Sequence, residues 1–139
     1  MKWITIALVL WLAQTCQAQT TTYYYNQSGG SEGKAMEYGS RTTYSSPSGS
    51  TKGSAQTSGN TTYYYGATGS SAGKATTSGN RTVYTAPSGS TKGSSQTSGN
   101  TTYYYDKTGS SAGKAVTTGN RTIYYDKTGS TVGSAQTSK

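Results

Sequence analysis

Short stretches in which polar and apolar side chains alternate recur every twenty residues from residue 19 to the end of the chain. In the stretch from 61 to 65, Thr62 and Tyr64 share one face, and the same two residue types return at that place in all six copies. The opposite face varies, since arginine replaces Thr61 in alternate copies. Side chains of a strand alternate between its two faces, so the constant face is predicted to be packed and the variable face exposed.

The second half of each copy alternates as well, and its constant face carries only small residues. A four-residue turn at 106–109, with glycine at its left-handed position, predicts that Tyr104 pairs with Ser111 and Thr102 with Gly113. The link at 78–81 predicts that Ala75 lies beside Tyr84. Large tyrosine rings would then cover small residues on one face, which we call the packed seam. In the third and fifth copies it comprises Thr62, Tyr64, Ser71, Gly73, Ala75, Thr102, Tyr104, Ser111, Gly113 and Ala115.

These features predict an all-β repeat protein of six strand-turn-strand units of twenty residues. Two arrangements fit: a β-solenoid with one unit per coil, or an antiparallel meander of about twelve short strands. Arg41 and Lys34 have counterparts only in alternate copies, at 81 and 121 and at 74 and 114, so the full period is forty residues. In a solenoid this alternation would separate like charges by about 9.6 Å, near one Debye length. The charge pattern therefore favours the solenoid.

Residues 1–18 differ from the rest, because an apolar run follows Lys2 and ends near the small residues Cys16 and Ala18. Such a run is typical of a secretory signal peptide and is too short to cross a membrane as a helix. The sequence predicts that residues 19–139 form one six-repeat domain after cleavage. We expect a secreted, extracellular or cell-surface protein without a membrane span, with the periplasm as a further compartment.

Composition removes most chemistry from the predicted mature chain. Residues 19–139 contain neither His nor Cys, and eleven Lys and Arg stand against four carboxylates, a net charge of 11 − 4 = +7. The usual general base, the thiol nucleophile and most transition-metal ligands are therefore missing. The sequence predicts no catalytic residue, no cofactor and no metal site, and the protein is not expected to be an enzyme.

Outward chemistry is left to tyrosines and basic side chains. Aromatic rings stack on sugars or bases, and a basic surface attracts polyanions. The predicted ligand face comprises Tyr63, Tyr65, Tyr103, Tyr105, Tyr125, Lys74, Lys114, Arg81 and Arg121.

Five asparagines head N-x-S/T triplets, the acceptor pattern for N-glycosylation of secreted proteins. Four of them lie in Gly-Asn turns, where backbone geometry by itself favours asparagine. The candidate glycosylation sites are Asn26, Asn60, Asn80, Asn100 and Asn120.

Two segments resemble known repeat families. The segment Tyr124-Tyr125-Asp126-Lys127-Thr128-Gly129 resembles the Y-D-x-x-G core of bacterial tyrosine-aspartate repeats, and 103–109 resembles cell-wall and glucan-binding repeats. In overall design, the short units rich in Gly, Ser, Thr, Asn and Gln are similar to curli-type secreted amyloid subunits. The first two resemblances imply ligand binding at a surface, and the third implies extracellular fibres.

Two functions of different classes follow from these observations. The leading hypothesis is a structural protein that self-assembles, as a functional amyloid does, into an extracellular filament or a matrix or biofilm component. Repeat ladders without capping units expose edges to which further copies can add. The alternative is a cell-surface module that binds polysaccharide or another polyanion through exposed Tyr, Lys and Arg, with nucleic acid not expected as the partner.

Overall fold

The computed structural model describes residues 19–138. This part of the chain consists of twelve β-strands joined by turns, and each of the six copies supplies two strands. The all-β prediction is confirmed, whereas the predicted signal peptide at 1–18 lies outside the described residues. The strands are β1 Thr20–Asn26, β2 Ser31–Tyr38, β3 Arg41–Ser45, β4 Thr51–Ser58, β5 Thr61–Gly66, β6 Ser71–Ser78, β7 Arg81–Thr85, β8 Thr91–Ser98, β9 Thr101–Asp106, β10 Ser111–Thr118, β11 Arg121–Tyr125 and β12 Thr131–Ser138.

Every described strand pairs antiparallel with its neighbours in sequence, and β1 also pairs with β12, so the meander closes into a barrel. The closing pairs run from Thr21 with Ser138 to Asn26 with Gly133. The solenoid prediction is therefore wrong, and the meander is the arrangement found. Closure gives each of the twelve strands a partner on both sides. The open strand edges on which sheet extension into a filament was predicted do not occur in this barrel.

Two kinds of tight turn impose this antiparallel order. Gly79 and Asn80 link β6 to β7. Gly79 has a φ of +57°, whereas Asn80 does not have a positive φ, because only glycines have one in residues 19–138. This combination fits a type II′ hairpin turn. In the other link the Gly109 N–H donates to the Asp106 carbonyl at 3.1 Å, and the Asp106 N–H donates to the Ser110 carbonyl at 2.9 Å. Both links place consecutive strands side by side and are too short for the crossover that parallel pairing needs.

Each even-numbered strand carries one extra residue against the strand before it. In β10, Ser111 pairs with Tyr105 and Gly113 with Tyr104, which leaves Ala112 as a bulge. The predicted pairing of Tyr104 with Ser111 is therefore wrong, because the turn shifts the register by one residue and the bulge shifts it by a second. A bulge also twists the strand that carries it, which helps a sheet to curve.

Across the two-residue turns the pairing is regular. Ala75 lies opposite Tyr84, as predicted, and Thr77 lies opposite Thr82. On the other side of the bulge, by contrast, Thr102 pairs with Ala115 and not with Gly113. In each copy the sequence therefore predicted the register across the two-residue turn correctly and the register across the longer turn and its bulge wrongly.

Six tyrosines form a ring inside the barrel. Burial, together with the neighbouring Tyr64 and Tyr24, raises the pKa of Tyr44 to about 12. Burial, together with the neighbouring Tyr24 and Tyr104, likewise raises the pKa of Tyr124 to about 12. Tyr84 closes the series, because it raises the pKa of both Tyr64 and Tyr104. Between the tyrosines lie small side chains that are at most 6% exposed, namely Ala35, Ala55, Ala75, Ala115 and Ala135.

Threonine hydroxyls line the mouth of the barrel that carries the two-residue turns. Inward threonines of neighbouring strands bond to each other, as Thr77 and Thr82 do at 2.9 Å and Thr22 and Thr137 at 3.1 Å. In the first copy Glu37 takes the place of the threonine and pairs with Thr42. The interior is thus polar at this mouth and aromatic further in.

Candidate binding surface

Basic, amide and aromatic side chains lie next to one another on the outer face of the barrel. Tyr103 on β9 pairs with Lys114 on β10, which pairs with Tyr125 on β11. In the other direction Tyr103 pairs with Gln96, and Gln96 with Arg81. These five residues form a row that crosses five strands from one mouth of the barrel to the other. Four interstrand spacings give the row a length of about 19 Å.

The order Arg, Gln, Tyr and Lys occurs three times, with a different fifth residue each time, because a forty-residue period fits three times into residues 19–138. We call the three sets the outer rows. Each spans four of the twelve interstrand spacings, so each covers a third of the circumference and the rows face three directions. The first outer row is Arg41, Gln56, Tyr63, Lys74 and Thr85, the second is Arg81, Gln96, Tyr103, Lys114 and Tyr125, and the third is Arg121, Gln136, Tyr23, Lys34 and Ser45.

The central tyrosine is presented in the same way in all three outer rows. Tyr23 and Tyr63 are each 42% exposed, and Tyr103 is 43% exposed. In the second outer row the Lys114 Nζ lies 5.5 Å from the centroid of the Tyr125 ring, within the range of a cation–π contact. In each row the half-exposed tyrosine is paired with a lysine of the next strand.

Shallow grooves follow the outer rows. One of about 290 Å³ is lined by Tyr103, Lys114, Lys127 and Asp126. A related groove of about 320 Å³ lies beside Tyr23 and Lys34 of the third outer row. Lys74 of the first outer row and Arg81 of the second line a third groove of about 560 Å³. The grooves are open, and polar, basic and aromatic or aliphatic side chains line them.

Positive charge is concentrated on the outer rows. Six of the ten Lys and Arg residues in 19–138 belong to them, and none of the four carboxylates does. Asp126 is held in its turn, where its Oδ1 accepts hydrogen bonds from the Thr128 hydroxyl at 2.6 Å and from the Ser130 N–H at 3.0 Å. These bonds lower its pKa, as their equivalents lower that of Asp106. Glu37 lies at the threonine mouth, on the inward face of β2.

The predicted ligand-face residues all lie outside the barrel, but only some of them come together. Tyr63 and Lys74 are neighbours in the first outer row, and Arg121 begins the third. Arg81, Tyr103, Lys114 and Tyr125 share the second outer row. Tyr65 and Tyr105 do not belong to the rows. Tyr105 lines a depression of about 200 Å³ together with Arg81 and Gln96.

The glutamines of the outer rows were missed by the sequence analysis. Gln56, Gln96 and Gln136 also recur every forty residues, each fifteen residues after the arginine of its row. That period was a usable sign of a shared role. The sequence did not predict which residues lie next to each other in a row, because the register shift was not expected. In the register expected from the sequence, Tyr63 would face Ala72 and not Lys74.

The packed-seam residues divide at the bulge. Gly73, Ala75, Gly113 and Ala115 are buried, and Thr62, Tyr64, Thr102 and Tyr104 are half-buried on the same inward face. Ser71 and Ser111 are exposed, because the bulge separates them from that face.

The asparagines of the N-x-S/T triplets make structural hydrogen bonds. The Asn80 side-chain amide donates to the Thr97 carbonyl at 3.1 Å, and Asn60 and Asn120 make the same bond to Thr77 and Thr137. The Asn100 carbonyl accepts the Thr117 N–H at 2.9 Å. Asn26 lies at the opposite mouth, where its Oδ1 accepts the Gly30 N–H at 2.8 Å.

Comparisons with protein-family models and with curated proteins give no match for this chain. Within residues 19–138 there is no helix of the length and apolar character needed to cross a membrane. In the same range no three His, Cys, Asp or Glu side chains are grouped so that they could hold a metal ion.

Proposed function

We propose that this protein is an extracellular binding module for acidic polysaccharides, which it holds on the outer rows of its barrel. The observation that carries the proposal is the direct pairing of tyrosine with lysine in every row, Tyr63 with Lys74, Tyr103 with Lys114 and Tyr23 with Lys34. Secretion through the apolar leader at 1–18 belongs to the same proposal.

The residue types in a row suit a polymer of charged sugars. The apolar face of a sugar ring packs on a tyrosine ring, while a carboxylate or sulfate on the sugar accepts charge-assisted hydrogen bonds from lysine or arginine. The glutamine between arginine and tyrosine offers a donor and an acceptor for sugar hydroxyls. A row of about 19 Å gives such a polymer several contacts in register.

Charge density favours polysaccharide over nucleic acid as the polyanion. Each row carries one arginine and one lysine, such as Arg81 and Lys114, which are three strands and therefore about 14 Å apart. A nucleic acid strand carries one phosphate about every 3.4 Å, and its binding sites are correspondingly dense in Lys and Arg. Sparse cations beside aromatic rings fit a polymer whose charges are interrupted by neutral sugar surface.

The experiment compares two variants that lose the same charge. One replaces the row lysines, Lys34→Gln, Lys74→Gln and Lys114→Gln, and the other replaces three lysines outside the rows, Lys52→Gln, Lys92→Gln and Lys107→Gln. Loss of a charge-assisted bond of about 1.4 kcal/mol weakens binding about tenfold at each site. We expect that loss for hyaluronan and polygalacturonate oligosaccharides in the row variant and a much smaller loss in the other.

The assay is isothermal titration at low and high salt, with dextran as the uncharged control. Equal weakening in the two variants would show that binding depends on net charge and not on the rows. Tighter binding to single-stranded DNA than to the acidic oligosaccharides would also contradict the proposal.

Self-assembly into filaments stays a prediction from the sequence. It is tested by electron microscopy of the concentrated cleaved protein, in which fibrils would support it and monodisperse particles would oppose it.

A further inference from the structure

We propose that the protein is trivalent and cross-links acidic polysaccharide chains, each barrel joining three of them. This inference rests on the proposed function and adds to it the number and the directions of the sites. The number and the directions of the sites follow from the closure of the barrel and from the forty-residue period. Neither property can be seen in one twenty-residue unit or in one row.

The three outer rows face different ways. Each occupies four of twelve interstrand spacings, so successive rows are turned by a third of a full rotation about the barrel axis. A ligand centred on the tyrosine of the second outer row therefore faces away from the tyrosines of the first and the third. Short ligands on the three rows do not exclude one another.

A single extended polymer does not pass smoothly from one row to the next. The first outer row ends at Thr85 and the second begins at Arg81, and both lie on β7. Four residues of strand separate the two points by about 13 Å along the barrel. To continue, a chain that leaves the first row would have to run back along β7 to the opposite mouth. A stiff acidic polysaccharide is therefore expected to use one row and to leave the others to different chains.

Three separate sites on one particle produce a network when each polymer also carries many binding segments. The second contact between a bound polymer and a nearby barrel is favoured by its high effective concentration. Mixtures of the protein with a long acidic polysaccharide should therefore form large aggregates or a gel, although the protein itself has no unpaired strand edge among its twelve described strands.

The test uses the cleaved protein and a variant with only the second outer row intact, R41Q/K74Q/R121Q/K34Q. The control, K52Q/K92Q/K107Q, loses three charges at lysines that belong neither to the rows nor to the grooves beside them. Isothermal titration with a short hyaluronan oligosaccharide gives the number of sites, and light scattering with long hyaluronan or polygalacturonate reports cross-linking. Circular dichroism and thermal melts show whether the variants keep the fold.

The expected stoichiometry is three oligosaccharides per barrel for the wild type and the control, and one for the single-row variant. Scattering with the long polymer should rise strongly for the first two and stay at the background level for the third. A wild type that binds one oligosaccharide, or that binds the long polymer without a rise in scattering, would overturn trivalency and leave the proposed function standing. A wild type that binds none of the acidic oligosaccharides would overturn the proposed function itself.

Discussion

The glycine that follows each bulge gives a sharp test of how the barrel is built. Gly113 has a φ of +132°, and a Cβ on it would collide with the main-chain carbonyl oxygen of Tyr125 on the next strand. Two other glycines separate these constraints. Gly109 has a φ of +86° with nothing within 4 Å of a Cβ, whereas Gly133 lacks the left-handed φ but would place a Cβ 2.6 Å from the Tyr25 carbonyl oxygen.

The three alanine variants should therefore be destabilised by different amounts. Gly109→Ala incurs only the left-handed strain, about 1 kcal/mol. Gly133→Ala incurs only the collision with a main-chain atom that cannot rotate away, about 2 kcal/mol. Gly113→Ala combines both effects, about 3 kcal/mol. The variants differ by one methyl group each, so their unfolded chains are closely matched.

Thermal and urea unfolding monitored by circular dichroism give the measurement. At about 4 °C per kcal/mol for a domain of this size, the melting temperature should fall by about 4 °C, 8 °C and 12 °C in that order. If Gly113→Ala is no less stable than Gly109→Ala, the close approach of neighbouring strands at the bulge is not what requires glycine. A stability of Gly133→Ala equal to that of the wild type would refute the reasoning for the collision alone.

Three further predictions concern titration and turn chemistry. Hydrogen bonds from Thr108 and Thr128 lower the pKa of Asp106 and Asp126 in the folded protein. The stability that they contribute is fully present above the unfolded pKa near 3.8 and is lost as the pH falls through the lower folded pKa. Thermal melts of Asp106→Asn/Asp126→Asn should lose less stability on acidification, and an unchanged acid profile would count against this. Burial raises the pKa of Tyr44 and Tyr124 from 10.0 to about 12, so stability present below pH 10 should decline between these values, and absorbance at alkaline pH should show a late phenolate step that denaturant abolishes. Asn80→Ala and Asn80→Ser both remove the side-chain amide that donates to the Thr97 carbonyl, and each should cost about 1 kcal/mol in urea unfolding; a stability equal to that of the wild type in both would oppose a role for the amide.

Local patterns were enough to predict the strands. The alternation at Thr62 and Tyr64 marks an inward face, and the short links at 78–81 and 106–109 mark hairpin turns, because both depend only on neighbouring residues. The choice of a solenoid was wrong because it rested on the spacing of charges. Surface charges interact weakly through water, whereas a two-residue turn fixes its strands side by side.

The candidate site was predicted by residue type and not by arrangement. Tyr103 and Lys114 were both expected to face outward, but their pairing depends on the bulge at Ala112. A glycine within a strand, such as Gly113, is a sign of a bulge or a close backbone approach. The outer rows emerge only when that shift is included in every copy.

The sequence by itself determined that the described chain is all-β, that its strands are short and paired through tight turns, and that tyrosine and small residues share one face. These properties are local, since each depends on residues within one twenty-residue copy. Closure depends on the whole described chain, because β1 must meet β12 across residues as far apart as Thr22 and Thr137, after the twist and the bulges of all six copies have accumulated. Only the tertiary structure therefore decided that the tyrosines form a closed ring inside and that the basic residues form three separate rows outside.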